Sequence, residues 1–283
     1  MAAPITVSVE HLAKGFGAGE ARSSVLENCS FELETGRLTV LIGPSGCGKS
    51  TLVNVLAGYE TPDSGTVTLL GRPVLGPASD RLVVFQETAL FPWMTTLQNV
   101  AYGPLVQRKR PRAEVLGEAA QLLEMVGLQD FKDRYPNQLS GGMQRRAELA
   151  RAMINNPAVM MLDEPFRGLD AMTRELMQEY FLRIYEERRT TVLFVSSEID
   201  EAIFLADRLL VMSHRPGRVI QTMAIALPRP RQPALLTSVD YLRYKEEAME
   251  LLHAEALKAF SAGSRAAADF VEAYAARADD APG

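Results

Sequence analysis

Residues 43–51 read Gly43-Pro44-Ser45-Gly46-Cys47-Gly48-Lys49-Ser50-Thr51, and no other stretch restricts the fold of this chain so tightly. The first eight match the pattern G-x-x-x-x-G-K-[ST] in full. Before them, residues 37–42 form an almost unbroken apolar run, which suits a parallel strand buried on both faces. After them, Leu52, Val55 and Leu56 fall on one face of a helix that begins at Lys49. A strand, a glycine-rich turn and a helix in that order make a phosphate cradle. Backbone N–H groups turn inward, and the helix N-terminus adds partial positive charge. Lys49 is placed to reach the outer phosphates and the Ser50 hydroxyl to ligate Mg2+. Cys47 occupies an unrestricted position of the motif, and a buried thiol with no chemical role of its own suits it.

A second segment supplies the other half of the site. Residues 159–162 predict a short buried strand that delivers Asp163 and Glu164 at its C-terminal end, where open α/β sheets place their ligands. Asp163 is expected to hold Mg2+ through water, and Glu164 to polarise an attacking water. Alone, this segment would be a strand followed by an acidic turn. Paired with the upstream loop it points to nucleotide chemistry.

The 283 residues suffice for one large domain or two smaller ones. With 47% apolar and 23% charged residues, the chain is not disordered throughout, collagenous or a coiled coil. Its net charge of -5 argues against a dedicated nucleic-acid binder. Two cysteines in different contexts, Cys29 and Cys47, argue against a disulfide framework and against a zinc cluster, and fit a reducing compartment. No run approaches the roughly 18 apolar residues of a membrane span, and the first residues lack the pattern of a secretory signal.

Strands are predicted at residues 6–10, 30–34, 37–42, 66–70, 82–85, 159–162, 192–195, 209–212 and 218–225. Helical periodicity dominates residues 87–157, where Leu116, Ala120, Leu123 and Val126 trace one face and another helix starts near Ser140. A further helix separates the strands at 159–162 and 192–195. Residues 228–233, rich in proline, read as a linker or extended segment, and two Ala-rich helices follow, with fraying expected over 276–283. Alternating strands and helices predict a mostly parallel sheet interrupted by a helical insertion.

The pentapeptide Leu139-Ser140-Gly141-Gly142-Met143 resembles the signature motif of the ATP-binding-cassette (ABC) ATPases, usually Leu-Ser-Gly-Gly-Gln. Its physical logic is again an anion site, with Ser140 capping a helix whose first N–H groups face a phosphate. The resemblance spans residues 5–226. It implies an α/β P-loop NTPase fold: an ABC ATPase core with a mostly parallel sheet, an antiparallel β subdomain and a helical subdomain at about 87–157. It implies an ABC transporter ATPase domain over residues 1–228 and a C-terminal helical extension over 229–283. ATP and Mg2+ come with it. So does a second ATPase subunit, taken as an identical chain, whose ATP would meet Ser140, Gly141 and Gly142 through its γ-phosphate. Gln86 looks like the glutamine that touches Mg2+ or the attacking water and links the site to the helical subdomain. Phe16 stands where an aromatic stacks on adenine, with core packing as the competing reading. Asp170 occupies the position that helps join the two nucleotide sites, with a simple solvated carboxylate as the alternative.

Within the family, residues 90–100, the run Asp163-Glu164-Pro165-Phe166 and residues 200–207 are similar to the nitrate/sulfonate/taurine-type importers. That likeness implies a membrane permease docked on the surface from Gln86 to Val100, with Leu90, Phe91, Trp93 and Met94 as anchors or, alternatively, as internal packing. It also implies a periplasmic or extracellular solute-binding protein in the same system, no nucleic-acid partner, and a peripheral place on the cytoplasmic face of a bacterial cell membrane.

Three departures from the family pattern stand out. Ser197 occupies the position of the histidine that contacts the γ-phosphate, and it carries neither that side chain's reach nor its charge. Loss of one positioned donor costs about 10²–10³ in rate if nothing replaces it. A slow-turnover regulatory or assembly module is therefore the rival to an importer subunit. Gln144-Arg145-Arg146 departs from the usual Arg-Gln-Arg order, and Arg167 replaces a small residue before Leu169-Asp170. Arg167 reads best as solvated, with a phosphate or a carboxylate across the dimer as the alternative. The run Arg108-Lys109-Arg110-Pro111-Arg112 reads as a solvated start to a helix, with lipid headgroups or nucleic acid as the alternative.

Overall fold

The computed structural model describes residues 3–19 and 22–261. Two long strands, β1 (Ile5–Phe16) and β2 (Ser23–Glu34), pair antiparallel. Both extend well beyond the predicted residues 6–10 and 30–34. The cause is irregularity in the pair: the register shifts between Val9 and Leu12, and His11 and Asn28 adopt φ of 49° and 51°. A bulge breaks the polar–apolar alternation that marks a strand in sequence. β4 (Ser64–Leu69) and the two-residue β5 (Arg72–Pro73) complete a four-stranded sheet of order β2-β1-β4-β5. The sequence reading did not include β5.

β3 (Leu38–Ile42), β6 (Arg81–Val84), β7 (Val159–Asp163), β8 (Thr191–Val195), β9 (Arg208–Met212) and β10 (Val219–Ala224) form the second sheet, in the order β10-β9-β3-β8-β7-β6. All its pairings are parallel except that of β10 with β9. Every residue of β3 and β8 is buried, as their apolar runs require of strands covered on both faces. Alternation divides each strand between two cores. Met160 and Leu162 pack toward the helical side, while Val159 and Met161 pack toward the antiparallel sheet.

α1 (Lys49–Ala57) follows β3 and stops at Gly58, which takes φ 81°. Between β6 and β7 lie α2 (Thr96–Gln107), α3 (Arg112–Met125) and α4 (Gly141–Met153). Thr95 and Gln98 start α2 by capping each other's backbone N–H groups. Of the predicted path, Leu123 and Val126 are fully buried and Leu116 and Ala120 half-buried, while Val115, Ala119 and Leu122 widen the buried stripe of α3, which packs on both α2 and α4. α5 (Ala171–Arg188) bridges β7 and β8, and α6 (Ile199–Leu205) bridges β8 and β9.

The segment at 228–233 is pinned rather than a loose linker. Arg229 donates to an Asp207 carboxylate oxygen at 2.8 Å and to the Leu205 carbonyl at 2.7 Å, while the Arg231 guanidinium reaches the Ala206 carbonyl. Burial alone would raise the Asp207 carboxyl, but the Leu38 N–H, the Tyr185 hydroxyl and Arg229 together hold it below the usual range. α7 (Val239–Ser261) then returns over α6 and β9. Tyr241, 1% exposed, donates its hydroxyl to Asp200 at 2.7 Å, and the Lys245 ammonium lies 2.7 Å from the same carboxylate. The second Ala-rich helix and the fraying expected at 276–283 lie outside the described residues. Among the described residues, no helix is long and apolar enough to cross a membrane.

Candidate functional site

β3, β8 and β7 are neighbours in the parallel sheet, and the loops leaving their C-terminal ends carry the predicted phosphate loop, Ser197, and Asp163 with Glu164. Parallel strand order therefore assembles one site from three distant stretches.

The loop at 43–50 is shaped by its backbone. Gly48 takes φ 108°, and a Cβ there would lie 2.9 Å from Leu26 Cδ2 and 3.0 Å from Val25 Cγ1. The loop is thus wedged against β2 and admits no side chain on that flank. Lys49 is buried, its ammonium donating to the carbonyls of Gly43 at 2.9 Å and Pro44 at 3.2 Å. Ser45, Gly46 and Ser50 face solvent, while the Cys47 thiol is buried in the core and raised by that burial. Only the backbone of Cys47 is therefore offered to a ligand. Gly217, which the sequence reading did not single out, closes the loop from behind. A Cβ on it would meet the Cys47 carbonyl oxygen at 2.1 Å. Nothing in the local sequence ties residue 217 to residue 47, so no motif could have revealed it.

Asp163 fits a cation site. Its Oδ1 is buried and has no hydrogen-bond partner. Burial raises its carboxyl above the usual range, against the pull of the Ser50 hydroxyl and the Lys49 ammonium. An orphaned carboxylate oxygen beside a hydroxyl and an ammonium suits a hard divalent ion and a polyphosphate.

Glu164 sits in a strained conformation, φ 46°, with its N–H bonded to the Val195 carbonyl at 3.0 Å. Each oxygen of its carboxylate is held. The Ser197 hydroxyl donates to Oε1 at 2.5 Å, and Arg167 Nη1 donates to Oε2 at 2.9 Å. Arg167 is exposed, as expected of a solvated arginine, and its guanidinium also meets a carboxylate within the same chain. The short turn closed by the Arg167 N–H on the Glu164 carbonyl brings it there.

Gln86 lies exposed on the turn after β6. Its backbone carbonyl accepts from Arg145, which also donates to the Phe85 carbonyl and pairs with Glu148 at 2.5 Å. Glu148 in turn accepts from the Ala89 N–H at 3.0 Å. Burial pushes Arg145 down and Glu148 up, each opposed by the other's charge. This buried pair ties the segment around Gln86 to α4, and the altered residue order at 144–146 did not disclose it.

Ser140 caps α4, its Oγ accepting from the Met143 N–H at 3.3 Å. Asp170 caps α5 by accepting from the Thr173 N–H at 3.0 Å, and hydrogen bonds from the Thr173 side chain and backbone hold its carboxyl below the usual range. Ser140, Gly141, Gly142 and Asp170 line one cleft of about 460 Å³, away from the phosphate loop. Phe16 is 43% exposed, with the Lys14 ammonium 5.0 Å from its ring centroid, so it is not a core phenylalanine.

On the helical face, Trp93 is 68% exposed and shares a groove with Met94, Tyr102 and Leu105. Phe91 instead packs edge-on against Tyr102 and carries the Arg151 guanidinium 4.3 Å over its ring, and Leu90 packs against the core. Both are half-buried, and Phe91 also stacks on Trp93 at 5.5 Å, so they back the exposed tryptophan from inside.

Residues 26–167 match the family described as ABC transporter. The chain is 40% identical over 250 residues to the bicarbonate transport ATP-binding protein of Synechocystis, covering 87% of this chain and 89% of that protein. It is 40% identical over 227 residues to the aliphatic sulfonates import ATP-binding protein of Bacillus cereus, covering 80% and 89% respectively. Among solved structures, it resembles the dimeric post-hydrolysis state of an ATP-binding cassette bound to ADP and Pi. The TM-score is 0.67 and the identity 29%, covering 78% of this chain and all of that one.

Proposed function

Because this chain belongs to the ABC transporter family of ATP-hydrolysing subunits, related to sulfonate and bicarbonate importers, we propose that it drives uptake of a small anion of the nitrate/sulfonate/taurine kind. It works as a homodimer, peripheral to the cytoplasmic face of a bacterial membrane, beneath a permease fed by a separate solute-binding protein. The observation that carries the ATP-hydrolysing part of this reading is the meeting of the loop at 43–50, the orphaned Asp163 oxygen and the gripped Glu164 carboxylate at neighbouring strand ends, and the anion rests on the likeness to sulfonate and bicarbonate transport relatives.

In this reading the backbone of residues 43–51 wraps the phosphates, and Lys49 exchanges its carbonyl acceptors for phosphate oxygens. Ser50, Asp163 and Gln86 would hold Mg2+, which would supply charge neutralisation on the outer phosphates. Glu164 accepts a hydrogen bond from the attacking water and aims it at phosphorus, with Ser197 fixing one carboxylate oxygen. Phe16 offers its exposed face to adenine. Ser140, Gly141 and Gly142 present the start of α4, and Asp170 that of α5, to the nucleotide of the other subunit. Movement of the helices between residues 87 and 157 reaches the site through Arg145 and Glu148. The groove beside Trp93 receives the permease. Residues 1–228 act as the ATPase domain, and residues 229–261 of the extension pack on it through α6 and β9.

Glu164→Gln should abolish steady-state phosphate release, a loss of about 10²–10⁴, while leaving ATP affinity intact. Retained turnover would defeat the assignment of the base. Copurification with a polytopic membrane protein tests the importer role. The second reading, a slow ATP-binding module, is favoured by Ser197 alone. Its signature would be tight ATP binding without turnover, rescued by Ser197→His.

A further inference from the structure

The Glu164 carboxylate is held from two sides by residues of different origin. Ser197 comes from the loop after β8, and Arg167 from the same turn as Glu164. That turn is rigid. Phe166 is 1% exposed and packs against Phe181 and Phe194, with ring centroids 6.3 and 5.5 Å away. The Glu164 N–H is fixed on Val195, and the Arg167 N–H closes the turn on the Glu164 carbonyl at 3.1 Å. The backbone thus delivers the guanidinium to Oε2, and a hydroxyl of a different strand end covers Oε1.

We propose that Arg167 is a positioning residue for ATP hydrolysis. It supplies the positive charge, and Ser197 the hydrogen bond, that together orient the Glu164 carboxylate toward water. The inference rests on Glu164 acting as the base. A carboxylate has about four lone-pair sites, so two donors leave acceptor capacity for a water while removing the side chain's rotational freedom. A serine hydroxyl alone fixes one oxygen and carries no charge. The guanidinium adds a charge-assisted bond at the other oxygen. Arg167 is also 63% exposed at its side chain, and such a pair contributes little to folding. An effect on rate is therefore separable from an effect on stability.

The test is steady-state and equilibrium measurement on the full chain, comparing wild type with R167A, R167K, S197A, the R167A/S197A double variant and E164Q. The expected result is a fall in kcat of about tenfold for R167A, with the KM and Kd for ATP and the Tm unchanged. R167K should recover most of the rate, because the charge returns. The double variant should depart from the product of the two single effects, because both donors act on one carboxylate. Wild-type or raised turnover in R167A, with E164Q inactive, overturns the role of Arg167 and leaves Glu164 as the base. Full turnover in E164Q overturns both readings at once. A fall in R167A matched by a lower Tm, with no recovery in R167K, assigns Arg167 to structure and also overturns the proposal.

Discussion

The phosphate loop and the Glu164 corner lie at neighbouring strand ends, yet they are built by opposite means. The loop is made of backbone. Gly48 fits against Val25 and Leu26, Gly217 fits against the Cys47 carbonyl, and the one thiol in the loop turns away from the site. The corner is made of side chains, with Ser197 and Arg167 each holding one oxygen of a carboxylate. Backbone construction tolerates no substitution that adds a Cβ where none fits. Side-chain construction allows the same carboxylate to be held by a different set of donors. A residue order that departs from the family pattern at 167 and 197, but not at 43–50, is what these two modes of construction permit.

The largest way to separate the two regions is Lys49→Ala. It removes the loop's one charged side chain, and phosphate release should fall by about 10²–10³. The same substitution should leave the Glu164–Arg167 pair in place, which a structure of the variant would show. Next comes Gly217→Val, which crowds the loop from behind without touching its sequence. Overpacking of this kind costs about 1–3 kcal/mol, and ATP affinity should weaken along with Tm in a titration followed by calorimetry. If Gly217→Val binds ATP normally, the loop is softer than its contacts imply.

A smaller effect concerns acid. Asp207 accepts from the Leu38 N–H at 2.9 Å and so anchors the start of the strand that leads into the loop. Its carboxyl is held below the usual range in the folded chain. It therefore contributes stability that is fully present above the unfolded value, near pH 3.9, and is lost as pH falls through the lower folded value. Asp207→Asn should flatten that part of the Tm-against-pH curve. The smallest effect on activity is expected from Cys47→Ala. Only the backbone of residue 47 serves the loop, so kcat should stay within about twofold while Tm drops by the small cost of a core cavity.

The legible parts of this molecule were those in which chain-local geometry forces a residue type. The loop sits in a strand, turn and helix that must follow in order, the signature segment is a capped helix start, and the Asp163-Glu164 pair ends an apolar strand. The apolar runs at β3 and β8 announced buried strands for the same reason. What escaped were contacts between positions far apart in the chain. Gly217 on Cys47, Arg145 on the carbonyls of Phe85 and Gln86, and Arg229 on Asp207 leave no periodicity behind. Arg167 was hidden differently. Its partner is three residues away, but an exposed arginine beside an acid looks the same in sequence whether or not the turn between them closes. The bulge near His11 concealed strand length by breaking the alternation on which strand reading depends.

The grip of Tyr241 and Lys245 on Asp200 bears on how the protein should be handled. Asp200 lies in the first turn of α6, three residues beyond Ser197, so the long C-terminal helix and the hydrolytic corner bear on one short stretch of chain. A truncation ending before Val239, or a protease cut in the strap that precedes it, removes both holds on that stretch while leaving every nucleotide motif intact. Such a fragment would still pass a binding assay. Rates measured on it are expected to differ from those of the full chain if Asp200 helps hold the loop that carries Ser197, which a side-by-side comparison of the two would show.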